Sequence, residues 1–375
     1  MNAAQEKMRE ETREKAEQLA PRIPERMTAA VLHGREDVRI EQVETPRARR
    51  GELILRVDAA LTCGTDLKVY RRGYHARMIQ PPALFGHEVA GTIVELGEGV
   101  REFHPGQRVV ALNSAPCGAC YFCHRDQENL CADLLFNNGA YAEYIRIPER
   151  IVTKNTIRIP EAMAAAHAAM TEPLACALHG WEDSGARERD WVAVVGAGPL
   201  GLMMMRLAVL ADCRLVAVVK HPEQTKIARE LGAHEVIESS AVSNVAAAVR
   251  ERTPDGRGVD VAIEAVALPE TWQQAVEMTR NGGTVNFFGG PAAGTTVSLD
   301  TNRLHYGDMT LKATFHHTPA ICRRAFALLE SGRFHADTML TGQAALTKLP
   351  RVFREWGKQQ GQIKTVILPG DADHC

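Results

Sequence analysis

Short apolar runs broken by glycine and proline fill the chain from Met27 to about Ile147: AAVLHG, DVRIEQV, GELILRVDAAL, HEVAGTIVELG, RVVAL and YAEYIRI. Their length and punctuation predict a mostly antiparallel β unit. From about Asp190 the rhythm changes. Trp191 to Val195, Leu215 to Val219, Glu235 to Ile237, Val259 to Glu264 and Thr284 to Phe288 read as strands, with amphipathic helices such as Pro222 to Leu231 and Glu270 to Arg280 between them. That alternation predicts a doubly wound parallel sheet, so the chain reads as α/β with a β-rich first lobe. A further strand, LKATF, and a helix from Pro319 to Ser331 follow. The closing segment, with VFREWGKQ and IKTVIL, is too small to fold alone and is expected to pack back on the first lobe. Residues 1 to 26 carry almost no large apolar groups and read as a solvated helix up to about Leu19, stopped by Pro21 and Pro24. Such a stretch is a frayed extension or an oligomer contact.

Length and composition sharpen this picture. At 375 residues the chain exceeds the roughly 250 to 300 at which single cores stop growing, so two lobes with a cleft are expected. An apolar share of 45% and a charged share of 24% are those of a globular protein. A net charge of -2 gives no broad attraction to nucleic acid or to an anionic membrane, which favours small-molecule chemistry. No run approaches the roughly 18 apolar residues of a membrane span, and the start lacks a signal-peptide core, so a cytoplasmic protein is expected. In a reducing compartment, nine cysteines argue for metal ligands over disulfides.

Four of those cysteines cluster. Cys117, Cys120, Cys123 and Cys131 have two, two and seven residues between them, with Pro116 and Gly118 supplying a turn. Four thiolates close a tetrahedral site with no position left for substrate, which makes it structural. An iron–sulfur cluster is the rival chemistry, without a second cluster motif to support it. A nucleic-acid-binding zinc module would need basic residues, and only Arg125 is basic within the loop.

A second, open set of ligands is spread along the chain. Cys63 and the pair His87-Glu88 offer sulfur and nitrogen, and a carboxylate from Glu88 or Glu172 would complete three ligands with a fourth position open. Neighbouring side chains on a strand point opposite ways, so His87 and Glu88 can share an ion only if the backbone turns there. Glu172 precedes Pro173, which should hold it extended at the join between lobes. One of the two is expected to bind directly and the other to stand behind it or exchange with it. Gly196, Gly198 and Gly201, with Pro199 and Leu200 between them, form G-x-G-x-x-G after the strand WVAVV and at the head of a helix. Such a turn lets a pyrophosphate approach the backbone at a positive helix end. The run Met203-Met204-Met205 reads as helix core. About 20 residues on, where an acid would hold the ribose of NAD, stands Lys220, followed by His221. A cation there tilts the expectation to NADP, with a lysine merely facing solvent as the alternative.

Gly86-His87-Glu88, then Gly91, Gly97 and Val100 at the family intervals, together with the cysteine cluster, resemble the zinc-containing medium-chain alcohol dehydrogenases. Glu172-Pro173-Leu174 is similar to their sorbitol and threonine dehydrogenase branch, where simple alcohol dehydrogenases carry a second cysteine. The resemblance runs from about Met27 to Leu368. It implies a GroES-like catalytic domain over 27–180 with a structural-zinc lobe at 117–131, a Rossmann domain over 181–312, and a segment 313–375 returning to the first. It also implies two zinc ions per subunit, hydride transfer between an alcohol or polyol and NAD(P), and a homodimer or homotetramer. Thr65 matches the family's hydroxyl relay; otherwise it caps a helix starting at Asp66. Phe136, Phe288, Phe315, His316 and His317 are candidates to line the cleft, with core packing as the alternative.

Competing readings are a simple alcohol dehydrogenase or aldehyde reductase, a zinc-free quinone or enoyl reductase, and a non-catalytic zinc-binding protein. The zinc-free reductases lack the GHE ligands and the cysteine cluster. A purely structural protein would not need the open ligand set, Thr65 and the glycine turn together.

Overall fold

The computed structural model describes residues 23–75, 78–356 and 362–369. The predicted N-terminal helix up to Leu19 lies outside the described residues. The chain divides into two compact units. The first comprises 1–172, 318–330 and 336–375, and the second 173–317 and 331–335. The division falls at Glu172 and Pro173, inside the helix Thr171–Ser184, earlier than residue 180, where the sequence reading put it. Among the described residues no helix is long and apolar enough to cross a membrane.

The first unit is built on a seven-stranded sheet. Its order runs Thr156–Arg158, Arg108–Ala111, Glu88–Leu96, Leu53–Leu61, Lys364–Leu368 and Leu340–Ala345, with Tyr144–Ile147 also pairing to Leu53–Leu61. Most pairs are antiparallel, but Leu340–Ala345 runs parallel to Lys364–Leu368. The closing segment thus supplies two strands of this sheet. Its helix Leu349–Glu355 adds Phe353, which stacks on Tyr70 and packs beside Phe85 at 5.3 Å in each case. Leu53, Leu55, Phe85, Ile93, Tyr141 and Phe353 form the centre of one apolar core.

The second unit is a six-stranded sheet, parallel throughout, in the order Glu235–Glu238, Arg214–Val219, Trp191–Val195, Val259–Glu264, Thr279–Phe287 and Thr310–Ala313. Order reverses outward from the first strand, the doubly wound arrangement whose crevice at the strand ends takes a nucleotide. Val195, Val216, Val218 and Ile237 make its core with residues of the flanking helices. Met203, Met204 and Met205 are fully buried in the helix Pro199–Leu210, as their apolar run predicts.

Candidate metal and cofactor sites

Cys63 caps the helix Gly64–Arg72. Its Sγ accepts from the Thr65 backbone N–H at 3.4 Å, while its own N–H donates to the Asp66 side chain at 3.2 Å. The helix therefore begins at Gly64, and the cap is Cys63, not Thr65. Thr65 stands in the first turn, half-buried, two residues from the sulfur. His87 sits in the turn after Gly86, just before the strand Glu88–Leu96, so the strand's alternation does not force His87 and Glu88 apart.

These elements bring the sulfur of Cys63, a ring nitrogen of His87 and a carboxylate oxygen of Glu88 within 4.8 Å of one another. His87 Nδ1 meets Asp66 Oδ1 at 2.9 Å, which leaves Nε2 for the shared point. His87 is 4% exposed and Glu88 0%. Burial alone would lower the His87 pKa, but the Asp66 and Cys63 charges outweigh it and hold it well above the usual imidazole value. Burial pushes the Glu88 carboxyl up to about 7, against the pull of Lys364. Three buried carboxylates (Asp66, Glu88 and Glu172) and a thiol face one ammonium and one imidazole. A divalent cation fits that imbalance and that mixed donor set.

Glu172 does not join the three-ligand group among the described residues. It is buried in the first turn of the helix Thr171–Ser184, not extended as its place before Pro173 predicts. The first four N–H groups of a helix have no internal partner, so Pro173 there breaks nothing. Burial raises the Glu172 pKa, while His87, Lys364 and a hydrogen bond from the Asn113 side chain pull it down, so its carboxyl feels the same charges as Glu88.

Lys364 was not singled out by sequence reasoning. It comes from the C-terminal strand and is 1% exposed. Its Nζ contacts both Glu88 oxygens, at 2.8 and 2.7 Å, and donates to Thr62 O at 2.8 Å. The lone charge inside the apolar run IKTVIL was the available signal, since a buried lysine needs a partner.

The four cysteines also converge. Sγ–Sγ separations are 3.5 Å for Cys120–Cys123, 3.8 Å for Cys120–Cys131 and 3.9 Å for Cys117–Cys123. Tetrahedral zinc with sulfur at about 2.3 Å requires edges of ~3.8 Å, so the set fits that ion. Backbone N–H groups of Ala132 and Cys123 bring Cys120 down to about 6, while burial pushes Cys131 up to about 12. A short ladder between Ser114–Ala115 and Leu135–Phe136 closes the loop and contains Phe136.

In the second unit, the strand Trp191–Val195 leads into Gly196 at φ +104, and Gly198 caps the helix Pro199–Leu210. A Cβ at Gly201 would overlap Gly196 O. Gly201→Ala should therefore open the turn and weaken cofactor binding by about tenfold or more, read by titrating reduced cofactor fluorescence. Lys220 is exposed after the strand Arg214–Val219. Gln224 Oε1 accepts from the N–H groups of Lys220 and His221, and its Nε2 donates to Ala197 O at 3.3 Å, tying the Lys220 turn to the glycine turn. Phe315 is exposed and His317 buried, while Phe288 packs against Gly180. Cys176, His316 and His317 bring a thiol and two imidazoles within 4.8 Å.

Comparison with known proteins agrees with this arrangement. Residues 49–161 match the alcohol dehydrogenase GroES-like domain, and 199–331 the zinc-binding dehydrogenase domain. The chain is 31% identical to an erythritol/L-threitol dehydrogenase of Mycolicibacterium smegmatis, over 94% of this chain and all of that one. It is 30% identical to (R,R)-butanediol dehydrogenase of Bacillus subtilis, over 92% of this chain and all of that one. A Sinorhizobium meliloti structure described as a zinc-binding dehydrogenase bound to NADP superposes with a TM-score of 0.85 at 30% identity, covering 92% of this chain and all of that one. The chain belongs to the zinc-containing medium-chain dehydrogenases, in their sorbitol and threonine dehydrogenase-like branch, and is an alcohol or polyol oxidoreductase.

Proposed function

We propose that the chain oxidises a polyol or amino alcohol, at a carbon whose neighbour also bears oxygen or nitrogen, to the carbonyl compound, reducing NADP in preference to NAD. The observation that carries this is the buried convergence of Cys63, His87 and Glu88. When bound there, zinc supplies a Lewis acid that acidifies a substrate hydroxyl, and the nicotinamide accepts the hydride. Cys63, His87 and Glu88 hold the ion, with Glu172 behind them. Asp66 fixes the His87 tautomer, and Lys364 keeps Glu88 in place. Thr65, two residues from the sulfur, accepts the substrate hydroxyl proton as it releases its own outward, so its hydroxyl relays one proton and stays neutral. Gly196, Gly198, Pro199, Leu200 and Gly201 hold the pyrophosphate on the helix N-terminus. Cys117, Cys120, Cys123 and Cys131 hold a second, structural zinc. The working form is a cytoplasmic homodimer or homotetramer.

Adjacent oxygen or nitrogen is the feature shared by the compounds named for the relatives: erythritol, threitol, butanediol, sorbitol and threonine. Assaying these beside monohydric alcohols of equal length tests the substrate class. Turnover of the vicinal compounds should exceed that of the monohydric ones by about tenfold, and equal turnover would overturn the assignment. Lys220 bears on the cofactor. Its ammonium pairs with a 2'-phosphate, so Lys220→Asp should lower kcat/KM for NADP by about tenfold or more, each decade being about 1.4 kcal/mol, and spare NAD. A native enzyme that strongly prefers NAD contradicts the NADP reading.

A further inference from the structure

We infer that Tyr141 is a positioning residue for the metal centre, its hydroxyl locking the one carboxylate that holds both Cys63 and His87. The inference rests on the metal reading above. Asp66 is 1% exposed and touches both candidate ligands. Its Oδ1 meets His87 Nδ1 at 2.9 Å, and its Oδ2 accepts the Cys63 backbone N–H at 3.2 Å. Tyr141 places its hydroxyl 2.6 Å from the same Oδ2 and 3.0 Å from Leu61 O. A phenol has one proton to donate. The shorter, charge-assisted contact takes it, so Asp66 receives the strong bond and Leu61 O the weaker share.

The ring that carries this hydroxyl has no room to turn. Gly86 lies at φ +90, and the space a Cβ would fill there is occupied by the Tyr141 ring, with atoms 2.6 to 2.7 Å away. Phe85 meets the ring edge-on at 5.6 Å, and Phe353 at 6.2 Å. Tyr141 N donates to Phe85 O at 2.9 Å, and Tyr141 O accepts from Ala30 N at 2.8 Å. The Phe85-Gly86-His87 turn that delivers the imidazole therefore also clamps the ring that steadies the imidazole's partner. Phenylalanine would fill the same apolar volume, so packing alone does not explain the hydroxyl. An unbonded hydroxyl at this depth would be costly, and here it is fully used. Burial, reinforced by the Asp66 charge, holds the phenol well above its ordinary pKa, so it stays a donor across the working range.

Without the hydroxyl, Oδ2 keeps, among the described residues, only the 3.2 Å bond from Cys63, and the carboxylate can rock about its last torsion. Imidazole orientation then loosens. Partners behind metal ligands are worth about 10- to 100-fold in metal affinity. Tyr141 acts one step further out, so the lower end is expected.

The test uses zinc release from the full-length protein into a chromophoric chelator, in the native chain, Tyr141→Phe, Asp66→Asn and the double variant. The native chain should release zinc in two phases, one from the four-cysteine site and one from Cys63-His87-Glu88. Tyr141→Phe should speed the second phase about tenfold and leave the first unchanged, a split that a general loss of stability would not give. Because Tyr141 works through Asp66, the double variant should release no faster than Asp66→Asn alone. Native rates in Tyr141→Phe, or fully additive effects in the double variant, would overturn the inference. A native chain with a four-cysteine phase and nothing else would overturn the metal reading itself.

Discussion

His87→Ala should lower kcat/KM for the alcohol by on the order of ten-thousand-fold while the protein stays folded. Four decades are about 5.4 kcal/mol of transition-state stabilisation, within the several kcal/mol that a Lewis acid contributes. Cys63→Ala should do the same, because two remaining ligands do not hold the ion. Both variants should carry one zinc fewer per chain and keep the four-cysteine zinc. Cys120→Ser provides the converse: it should lose the structural ion and much thermal stability, since the loop 117–131 then keeps its short ladder, its own backbone bonds and the Cys117 N–H bond to Cys131 Sγ but no ion to close it. Metal analysis beside steady-state kinetics checks all three. Full activity in His87→Ala would remove the open metal site from the reaction.

The second large effect concerns the buried pair of Lys364 and Glu88. Lys364→Met leaves a carboxylate at 0% exposure without its ammonium. Breaking a buried pair from one side costs about 3–5 kcal/mol. The penalty should depend on pH, and its sign follows from Glu88. Its folded pKa, about 7, already lies above the unfolded value of 4.5. The folded state therefore binds more protons in that window, and stability falls as pH rises through it. Removing Lys364 lifts the folded value further. The variant's deficit should thus be small near pH 5, where Glu88 is neutral, and largest above pH 7. Adding Glu88→Gln should recover most of the loss. Denaturant unfolding of chelator-treated protein at several pH values reads this directly, and a deficit that is flat with pH would mean that Glu88 is not the group left exposed to the change.

The strands and the glycine turn were legible because their signals are local. WVAVV and VDVAIE are apolar runs of strand length bounded by turn residues, and the strands occupy those positions, Trp191–Val195 and Val259–Glu264. The groups around the candidate ligands were harder. Asp66 sits three residues after Cys63, at the position where a capping side chain reaches back, so helix-cap reasoning could have found it. Tyr141 and Lys364 could not be tied to the centre from spacing, because they meet it across 75 and 276 positions of sequence. The extended conformation expected at Glu172 failed for a physical reason. A proline restrains the residue before it, but in a first helical turn its missing N–H removes no bond, and the helix Thr171–Ser184 prevails.

X-ray absorption at the zinc edge, combined with metal analysis of the purified chain, addresses the centre itself. Two zinc ions per chain are expected, one with four sulfurs at about 2.3 Å and one with a single sulfur plus nitrogen and oxygen neighbours at about 2.0–2.2 Å. One zinc per chain with only sulfur neighbours would contradict an open metal site at Cys63, His87 and Glu88.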